Sequence, residues 1–221
     1  MLTSIHAQMI HQALGEFFSP RALQGIIAAN LGQDGLRGQL AHEEYHFDNN
    51  AFEKSCAYLD EQRRLTLSAL KMGDAPAAWA AFGRLTHTAQ DFYSHSNYVA
   101  LWLARHADPT PPAPPEIDPV DPDLVASPEL HSGKLYYPQE ALYFIPALRT
   151  IALSFLPRDS HAHMNLDSAE RGPNFEYAFQ AAAKRTRLEF EQIRSALSVD
   201  ELAVFADMGR AGINLASQSA G

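Results

Sequence analysis

The chain has 221 residues, of which ten are histidines, and a formal net charge of -9. A chain of this length predicts a single domain that buries roughly 70% of its unfolded surface without cross-links. The negative charge excludes sequence-independent binding to the phosphate backbone of a long nucleic acid, because such binding requires clustered lysines and arginines. We therefore expect no stable complex with nucleic acid.

A single cysteine, Cys56, limits the covalent and metal chemistry of the chain. One thiol forms no internal disulfide and builds no thiolate zinc site, so zinc ligands must be His, Asp or Glu. Residues 1–6 lack the basic and apolar regions of a signal peptide. No run approaches the roughly 20 apolar residues that span a bilayer. These features predict a cytoplasmic protein without a transmembrane segment, with secretion left open if a leader was removed.

Four helices are predicted in the first half of the chain. Apolar residues recur at intervals of three and four, the period of a helix with one buried face. Ser19 followed by Pro20 is a typical start for the second helix, and Asn49 or Asn50 can cap the third. The predicted helices cover residues 2–14, 20–32, 50–73 and 74–102.

The next segment is rich in proline. Residues 108–128 hold eight of the fourteen prolines, with acidic residues between them. Because proline interrupts helices and cannot pair in a central strand, we expect a Pro-rich loop at 108–138. Two interpretations are open, a solvated linker or a lid beside a functional site.

The last third of the chain predicts further helices. Residues 139–155 form an apolar helix interrupted at Pro146, and residues 175–197 form a longer one. Ser198 and Glu201 make a capping box for a last short helix, and the tail 213–221 is expected to fray. With no convincing strand, the predicted fold class is all-α, and residues 1–221 are predicted to form one domain.

The nonapeptide from His87 to His95 carries the clearest functional signal. His87, Asp91 and His95 are four residues apart, and four helical residues turn only about 40° from the starting direction. The three side chains therefore share one helix face. Two imidazoles and a carboxylate there favour zinc. The alternative is that each histidine is an ordinary core or surface residue, but several of the other histidines also stand close to aspartates.

Further segments supply candidate ligands. Each is a histidine or an aspartate, and those near each other in sequence form short clusters. The candidates are His6, Asp34, the pair His46 and Asp48, and the group His161, His163 and Asp167.

With these residues the chain resembles the zinc-dependent phospholipase C family, and within it the Het-C-like bacterial branch. The segment from His87 to Asn97 is similar to that branch's hallmark, His-Thr-x-Gln-Asp-Phe-Tyr-x-His-Ser-Asn. The block His46-Phe47-Asp48 looks like a second signature, and His6 looks like part of the N-terminal helix. The fungal zinc nucleases that cut single strands share that fold. The resemblance, over roughly residues 2–190, implies a multi-helix bundle of the zinc phospholipase C and nuclease type.

The resemblance also implies two or three zinc ions with ligands from distant parts of the chain. The first ion is expected at Asp34, His46, His87 and Asp91. The second is expected at His95, Asp167 and either His161 or His163. A third is expected at His6 and a shared Asp91, together with the amine of residue 1.

Zinc ions about 3.5–4 Å apart suit phosphoester hydrolysis, because one lowers the pKa of bound water while the other stabilises the departing oxygens. By the resemblance, Asp34 is the candidate general base. The predicted function is therefore that of a zinc-dependent phosphodiester hydrolase, phospholipase C-like, acting on a phospholipid or its head-group ester. Two alternatives are open, a single-strand nuclease and a non-catalytic zinc-binding interaction module.

Overall fold

A computed structural model of the protein describes residues 1–35, 42–106, 110–143 and 145–209. Most of these residues are helical, and within these ranges no β-strand forms. The backbone pairs outside the helices only at the isolated bridges Ser96–Ser132 and Lys134–Ser160. The predicted all-α class is confirmed. The tail predicted to fray, 213–221, lies outside the described residues.

Five helices of twelve or more residues build the body of the described part. They are α1 (Thr3–Leu14), α2 (Pro20–Leu31), α4 (Phe52–Lys71), α5 (Ala75–His95) and α11 (Asn174–Ser195). Shorter helices lie between and after them. They are α3 (Glu43–His46), α6 (Tyr98–Arg105), α7 (Pro122–Val125), α8 (Gln139–Tyr143), α9 (Arg149–Phe155), α10 (His161–Met164) and α12 (Val199–Ala206).

Helix α5 is the centre of the bundle and packs against α2, α4 and α11. It begins where the Asp74 carboxylate accepts a hydrogen bond of 3.1 Å from the Ala77 amide, a typical N-cap. From Leu85 to His95 every residue is buried. Gly83 allows α2 to approach closely, because a Cβ there would overlap the carbonyl oxygen of Ile26. The nonapeptide is therefore held on a helix that is covered on all sides.

An aromatic cluster fastens the last helix to this centre. The ring centroids of Phe18 and Phe82 lie 4.9 and 5.2 Å from that of Phe205 on α12. The indole of Trp79 donates a hydrogen bond of 2.7 Å to the Phe205 carbonyl. The capping box of α12 forms between Ser198 and Glu201 as predicted. One hydrophobic cluster thus joins buried residues from Met1 to Phe205.

The helix predicted at 74–102 is in fact two helices. Helix α5 ends at His95, Ser96 is extended with φ -106° and ψ 167°, and α6 begins at Tyr98. The break arises from a distant segment, because the Asn97 amide donates to the His131 carbonyl (3.0 Å) and the Asn97 side chain accepts from the His131 amide (2.8 Å). The period of apolar residues continues across this break and does not reveal it.

The third predicted helix corresponds to α4, which begins at Phe52, two residues later than predicted. Asn49 and Asn50 have positive φ values of 56° and 57°, a conformation that asparagine tolerates better than most residues. They form a turn rather than an N-cap.

The described part of the Pro-rich segment, 110–138, contacts the bundle at several points. Its carbonyl groups accept hydrogen bonds from Tyr98 (2.7 Å, at Asp118) and from Lys184 (2.9 Å, at Ile117). Ile117 is fully buried. Within its described part, 110–138, only short helical turns form.

Candidate metal centre

Helix α5 directs His87, Asp91 and His95 toward a common interior point. Asp91 is fully buried, and its Oδ2 lies 3.0 Å from His87 Nε2 and 2.8 Å from His46 Nδ1. Its Oδ1 lies 4.0 Å from His95 Nε2. One carboxylate therefore contacts imidazoles from two separate helices.

The start of the chain approaches Asp91 from the other side. Asp91 Oδ1 lies 3.3 Å from His6 Nε2 on α1 and 3.0 Å from the amino group of Met1. The same amino group is 3.2 Å from Asp167 Oδ1. Asp91 is thus the meeting point of α1, α3 and α5.

A left-handed residue lets His46 and Asp48 face the same interior. Phe47 has φ 58° and ψ 22°, which costs a non-glycine residue roughly 1–2 kcal/mol. Its ring packs against Phe92 and Phe52, with centroids 5.1 and 5.9 Å apart. Packing of this ring offsets the backbone strain and holds the turn between the two polar residues.

His161 approaches Asp48 on the far side of the turn. Asp48 Oδ1 lies 3.0 Å from His161 Nδ1 and 3.4 Å from His95 Nδ1. The rings of His95 and His161 have centroids 4.4 Å apart. Asp48, His95 and His161 therefore form a compact second set of ligand atoms.

Residues 131–135 hold His95 and His161 together. The Gly133 amide donates to the His95 carbonyl, and the His161 amide donates to the Lys134 carbonyl, each at 2.9 Å. A Cβ at Gly133 would lie only 2.6 Å from His161 Cα. Glycine at this position is therefore what permits the two chain segments to approach.

Two groups of donors are close enough to hold a metal ion. The first group is His6, Asp34, His87 and Asp91, and the second group is Asp48, His95 and His161. In each group one ligand atom from every residue lies within 4.8 Å of the others. Asp34 is the most distant contact of the first group, 3.7 Å from His87 Nε2.

These groups divide the residues differently from the sequence-based sets. His6, expected at a separate third ion, joins Asp34 and His87, whereas His46 contacts Asp91 without belonging to either group. Asp48 is a sequence candidate to which no ion was assigned. The signal that identifies it is its position two residues after His46, across the Phe47 reversal.

The structure brings His161 into the cluster and leaves His163 outside it. The His163 Nε2 donates a hydrogen bond of 3.0 Å to the Leu153 carbonyl, away from the other candidates. On a continuous helix His163 and Asp167, four residues apart, would share one face, but α10 ends at Met164 and Asn165 is extended with ψ 144°. Asp167 still lies beside the cluster, 3.4 Å from His95 Nε2.

Burial and neighbouring charge act in opposite directions on the buried groups. Burial would raise the pKa of the Asp91 carboxyl, but the Met1 amino group and the imidazoles of His87 and His95 hold it well below its ordinary value. Burial would lower the pKa of His95, but the carboxylates of Asp91 and Asp48 raise it well above its ordinary value. At His87 burial prevails and lowers the pKa to about 4. The interior thus favours the protonated, positively charged form of the His95 ring and the neutral form of the His87 ring.

The donor chemistry fits zinc. Imidazole nitrogen and carboxylate oxygen are zinc ligands, and neutral imidazole supplies the lone pair that coordination needs. Among the described residues, buried nitrogens of four rings lack a hydrogen-bond partner, and such unpaired atoms cost about 1–3 kcal/mol each. They are His6 Nε2, His46 Nε2, His87 Nδ1 and His95 Nε2.

A small cavity adjoins both groups. It measures about 70 Å³ and is lined by Asp34, His46, Asp48, His95, His161 and Asp167, among others. Leu135 of the Pro-rich segment also lines it. A wider cleft of about 630 Å³ lies beside Asp34 and Asp167 and includes Arg149 and Arg171 in its walls.

The fold and the centre together define an all-α domain with a buried histidine and aspartate cluster. Residues 3–106, which include α1 to α6, match the sequence model of a family described as the VWA7 N-terminal domain. Of the candidate ligands, His6, Asp34, His46, Asp48, His87, Asp91 and His95 lie inside this match, whereas His161, His163 and Asp167 follow it.

Relatives carry the same name. The chain is 35% identical over 91 residues to von Willebrand factor A domain-containing protein 7 of Rattus norvegicus. This alignment covers 39% of this chain and 10% of that protein. It is 34% identical over 106 residues to the Homo sapiens protein of the same name. That alignment covers 40% of this chain and 12% of the human protein. The alignments thus span about a tenth of the length of these relatives. No solved structure matches the chain significantly.

These matches correct the sequence-based identification. The assignment to the zinc-dependent phospholipase C family is wrong, because the matching family and relatives are of the VWA7 type. The predictions that followed from it are also wrong: the phosphodiester hydrolase, in its phospholipase C or nuclease form, and the phospholipid or related substrate. The physical reason is that spacing of four residues specifies converging ligand atoms and specifies no reaction.

The described helices contain no segment that combines the length and the hydropathy needed to cross a bilayer.

Proposed function

We propose that this chain is a zinc-binding helical domain in which the metal has a structural role. The observation that carries this proposal is the convergence of the first group and the second group in the interior, where His6 Nε2 lacks a hydrogen-bond partner and lies 3.3 Å from Asp91 Oδ1. Their residues come from α1, the turn after α3, α5 and α10, and from Asp34. Ions at these groups would join segments that are otherwise far apart in the chain.

The charge of the first group supports a divalent cation. The first group has two carboxylates and two imidazoles, so one Zn²⁺ would neutralise it. Without an ion, the Met1 amino group, 3.0 Å from Asp91 Oδ1, is the nearest charge that balances this buried carboxylate. Because the ligands are assembled only in the folded chain, the free energy of zinc binding adds to the free energy of unfolding.

The comparisons support a role as one folded unit of a longer protein. The matching family model is named for an N-terminal domain, and the relatives are several times longer than the stretch they share with this chain. The larger hydrophobic cluster, with buried residues from Met1 to Phe205, supports the proposal that the chain forms one domain. A smaller cluster of Tyr143, Ala152, Leu156 and Ala162 lies apart from it. A metal-stabilised unit of this kind needs no turnover to serve the protein that contains it.

Metal analysis of the purified protein tests the proposal. We expect about two zinc ions per folded chain, one for each group. A chelator that removes zinc should lower the Tm by roughly 5–10 °C, and added zinc, but not magnesium, should restore it. Protein that contains no zinc, binds none on addition and keeps its Tm in chelator would overturn the proposal.

Three sequence-based expectations stay predictions. They are a third zinc ion, the finer fold type shared by the zinc phospholipases C and the single-strand nucleases, and the cytoplasmic location.

A further inference from the structure

The side-chain amide of Gln90 forms a hydrogen bond with the His6 ring on the edge opposite Asp91. Gln90 precedes Asp91 on α5, and its Oε1 lies 2.6 Å from His6 Nδ1. Both side chains are fully buried. On the opposite edge of the ring, His6 Nε2 lies 3.3 Å from Asp91 Oδ1. The hydrogen-bond direction at Gln90 therefore decides which ring nitrogen of His6 carries the proton.

The orientation of the Gln90 amide follows from Thr186 on α11. The Thr186 hydroxyl lies 2.9 Å from the Ala182 carbonyl, which only accepts, so the hydroxyl donates its single hydrogen there. Toward Gln90 the same oxygen is an acceptor, and it lies 2.9 Å from Gln90 Nε2. The amino end of Gln90 thus faces Thr186, and the carbonyl end faces His6.

Asn30 on α2 leads independently to the same orientation. The Thr86 hydroxyl donates to the Gly83 carbonyl at 2.9 Å, so its oxygen accepts from Asn30 Nδ2 at 3.1 Å. The same Nδ2 lies 3.1 Å from Gln90 Oε1 and donates its second hydrogen there. Two donors therefore converge on Gln90 Oε1, one from Asn30 and one from His6.

An amide oxygen only accepts, so His6 Nδ1 must carry a hydrogen. In the neutral ring Nε2 then has a lone pair, and this lone pair faces a carboxylate oxygen of Asp91 across 3.3 Å. Two such acceptors repel each other unless a cation lies between them. In the protein alone the Met1 amino group, 3.0 Å from the same Oδ1, supplies positive charge there. The orientation directs the Nε2 lone pair toward Asp91, as a metal held by both side chains requires.

We propose that Gln90 is a positioning residue of the centre, which holds His6 in the Nδ1–H form so that the Nε2 lone pair faces Asp91. Asn30 and Thr186 in turn prevent the Gln90 amide from rotating. The benefit to zinc binding rests on the function proposed above, whereas the tautomer itself does not. Partners behind a ligating histidine commonly change metal affinity about 10–100-fold when they are removed.

The tautomer can be read from the ring nitrogens of His6 by long-range ¹H–¹⁵N NMR of the metal-free protein. The measurement is made at mildly alkaline pH. The His6 signals are assigned by their loss in His6→Gln. We expect a protonated Nδ1 and an unprotonated Nε2. A proton on Nε2 with a bare Nδ1 would overturn the proposal.

Zinc competition titrations with Gln90→Leu test the contribution to binding. This variant removes the acceptor, and we expect zinc affinity to fall about 10–100-fold and the His6 tautomer to change. Gln62→Leu is the matched control, because Gln62 is a buried glutamine on α4 that contacts Arg84 and no candidate ligand. It should lose stability and keep zinc affinity. Equal zinc affinity in Gln90→Leu and the native protein would overturn the role of Gln90.

The two proposals fail in different ways. If the native protein binds no zinc while His6 has the Nδ1–H form, the function proposed for the domain is wrong and the assignment of Gln90 stands. If zinc binds and the tautomer is reversed, the assignment of Gln90 is wrong and the zinc domain stands. A Gln90→Leu variant that does not fold leaves the NMR measurement on the native protein as the deciding test.

Discussion

Asp48 Oδ1 lies 3.0 Å from His161 Nδ1, although 113 positions separate the two residues in the chain. Asp48 follows the left-handed Phe47, and His161 is the first residue of α10. Nothing in either local segment indicates that the two residues meet. Their contact completes the second group, which therefore forms only when distant parts of the chain pack together.

Replacing His161 and His163 separately tests which of them serves the centre. His161→Ala removes a donor from the second group, so we expect about one of two bound zinc ions to be lost. His163→Ala breaks only the hydrogen bond to Leu153 and should keep both. Metal content per folded chain, measured with the far-UV circular dichroism spectrum, checks the pair. Greater zinc loss in His163→Ala would contradict the arrangement.

Asp91→Asn should weaken zinc binding more than any other single change in the first group. The substitution removes the charge on which His6, His46 and His87 converge. Removing one partner from buried charged contacts costs about 3–5 kcal/mol, so the variant should also unfold at lower denaturant concentration. Zinc titration and urea unfolding measure the two effects.

Asp123→Asn is the control for this change, because Asp123 is an exposed carboxylate paired with Arg105. It should alter neither zinc content nor stability appreciably. A similar zinc affinity in the two variants would show that Asp91 is not a ligand.

Gly133→Ala should damage the second group without touching a ligand. The added Cβ would lie 2.6 Å from His161 Cα, and backbone on both sides limits relaxation. We expect a loss of about 1–3 kcal/mol of stability and weaker binding of one zinc ion. Gly209→Ala, where nothing lies within 4 Å of the added Cβ, should leave both unchanged. If Gly133→Ala binds zinc like the native chain, His161 does not depend on this close approach.

Gly83→Ala tests the close approach of α2 and α5. The new Cβ would overlap the Ile26 carbonyl and lie 2.7 Å from Ala29 Cβ, so α2 and α5 must move apart. We expect destabilisation of about 1–3 kcal/mol or more by chemical denaturation.

Gly32→Ala is the matched change at the end of α2. Gly32 has φ -63° and nothing within 4 Å of an added Cβ, so alanine should be neutral or stabilise by about 0.4–1 kcal/mol. Equal stability of the two variants would mean that α2 and α5 do not meet closely at Gly83.

Several features of the fold were predictable because their causes are local. The N-cap at Ser19 and the capping box at Ser198 appear as predicted, since a side chain and an amide three residues later suffice to form each. The interruption at Pro146 also appears, as a short turn between α8 and α9. Such interactions depend on residues that are neighbours in the sequence.

The errors in the helix boundaries have distant causes. The break after His95 depends on the pairing of Asn97 with His131, and the late start of α4 depends on the turn through Asn49 and Asn50. The Asn50 side chain accepts from the Ser132 amide at 2.7 Å, so this turn too is held by the segment after the Pro-rich region. Apolar periodicity carries no information about such pairings.

The choice between His161 and His163 shows the same limit within one short helix. Both residues lie in α10, two positions apart, so they point in different directions. Which direction faces the cluster depends on how Lys134 and Gly133 fix the helix against His95. No property of the local sequence distinguishes the two.

Local sequence patterns specify most of the helices and the shared face of His87, Asp91 and His95, because the α-helical period places every fourth side chain in one direction. The packing of distant segments brings Asp48 to His161, His6 to Asp34, and Gln90 to the His6 ring. These contacts depend on the packing of whole helices around α5, which sums many weak apolar interactions over distant parts of the chain.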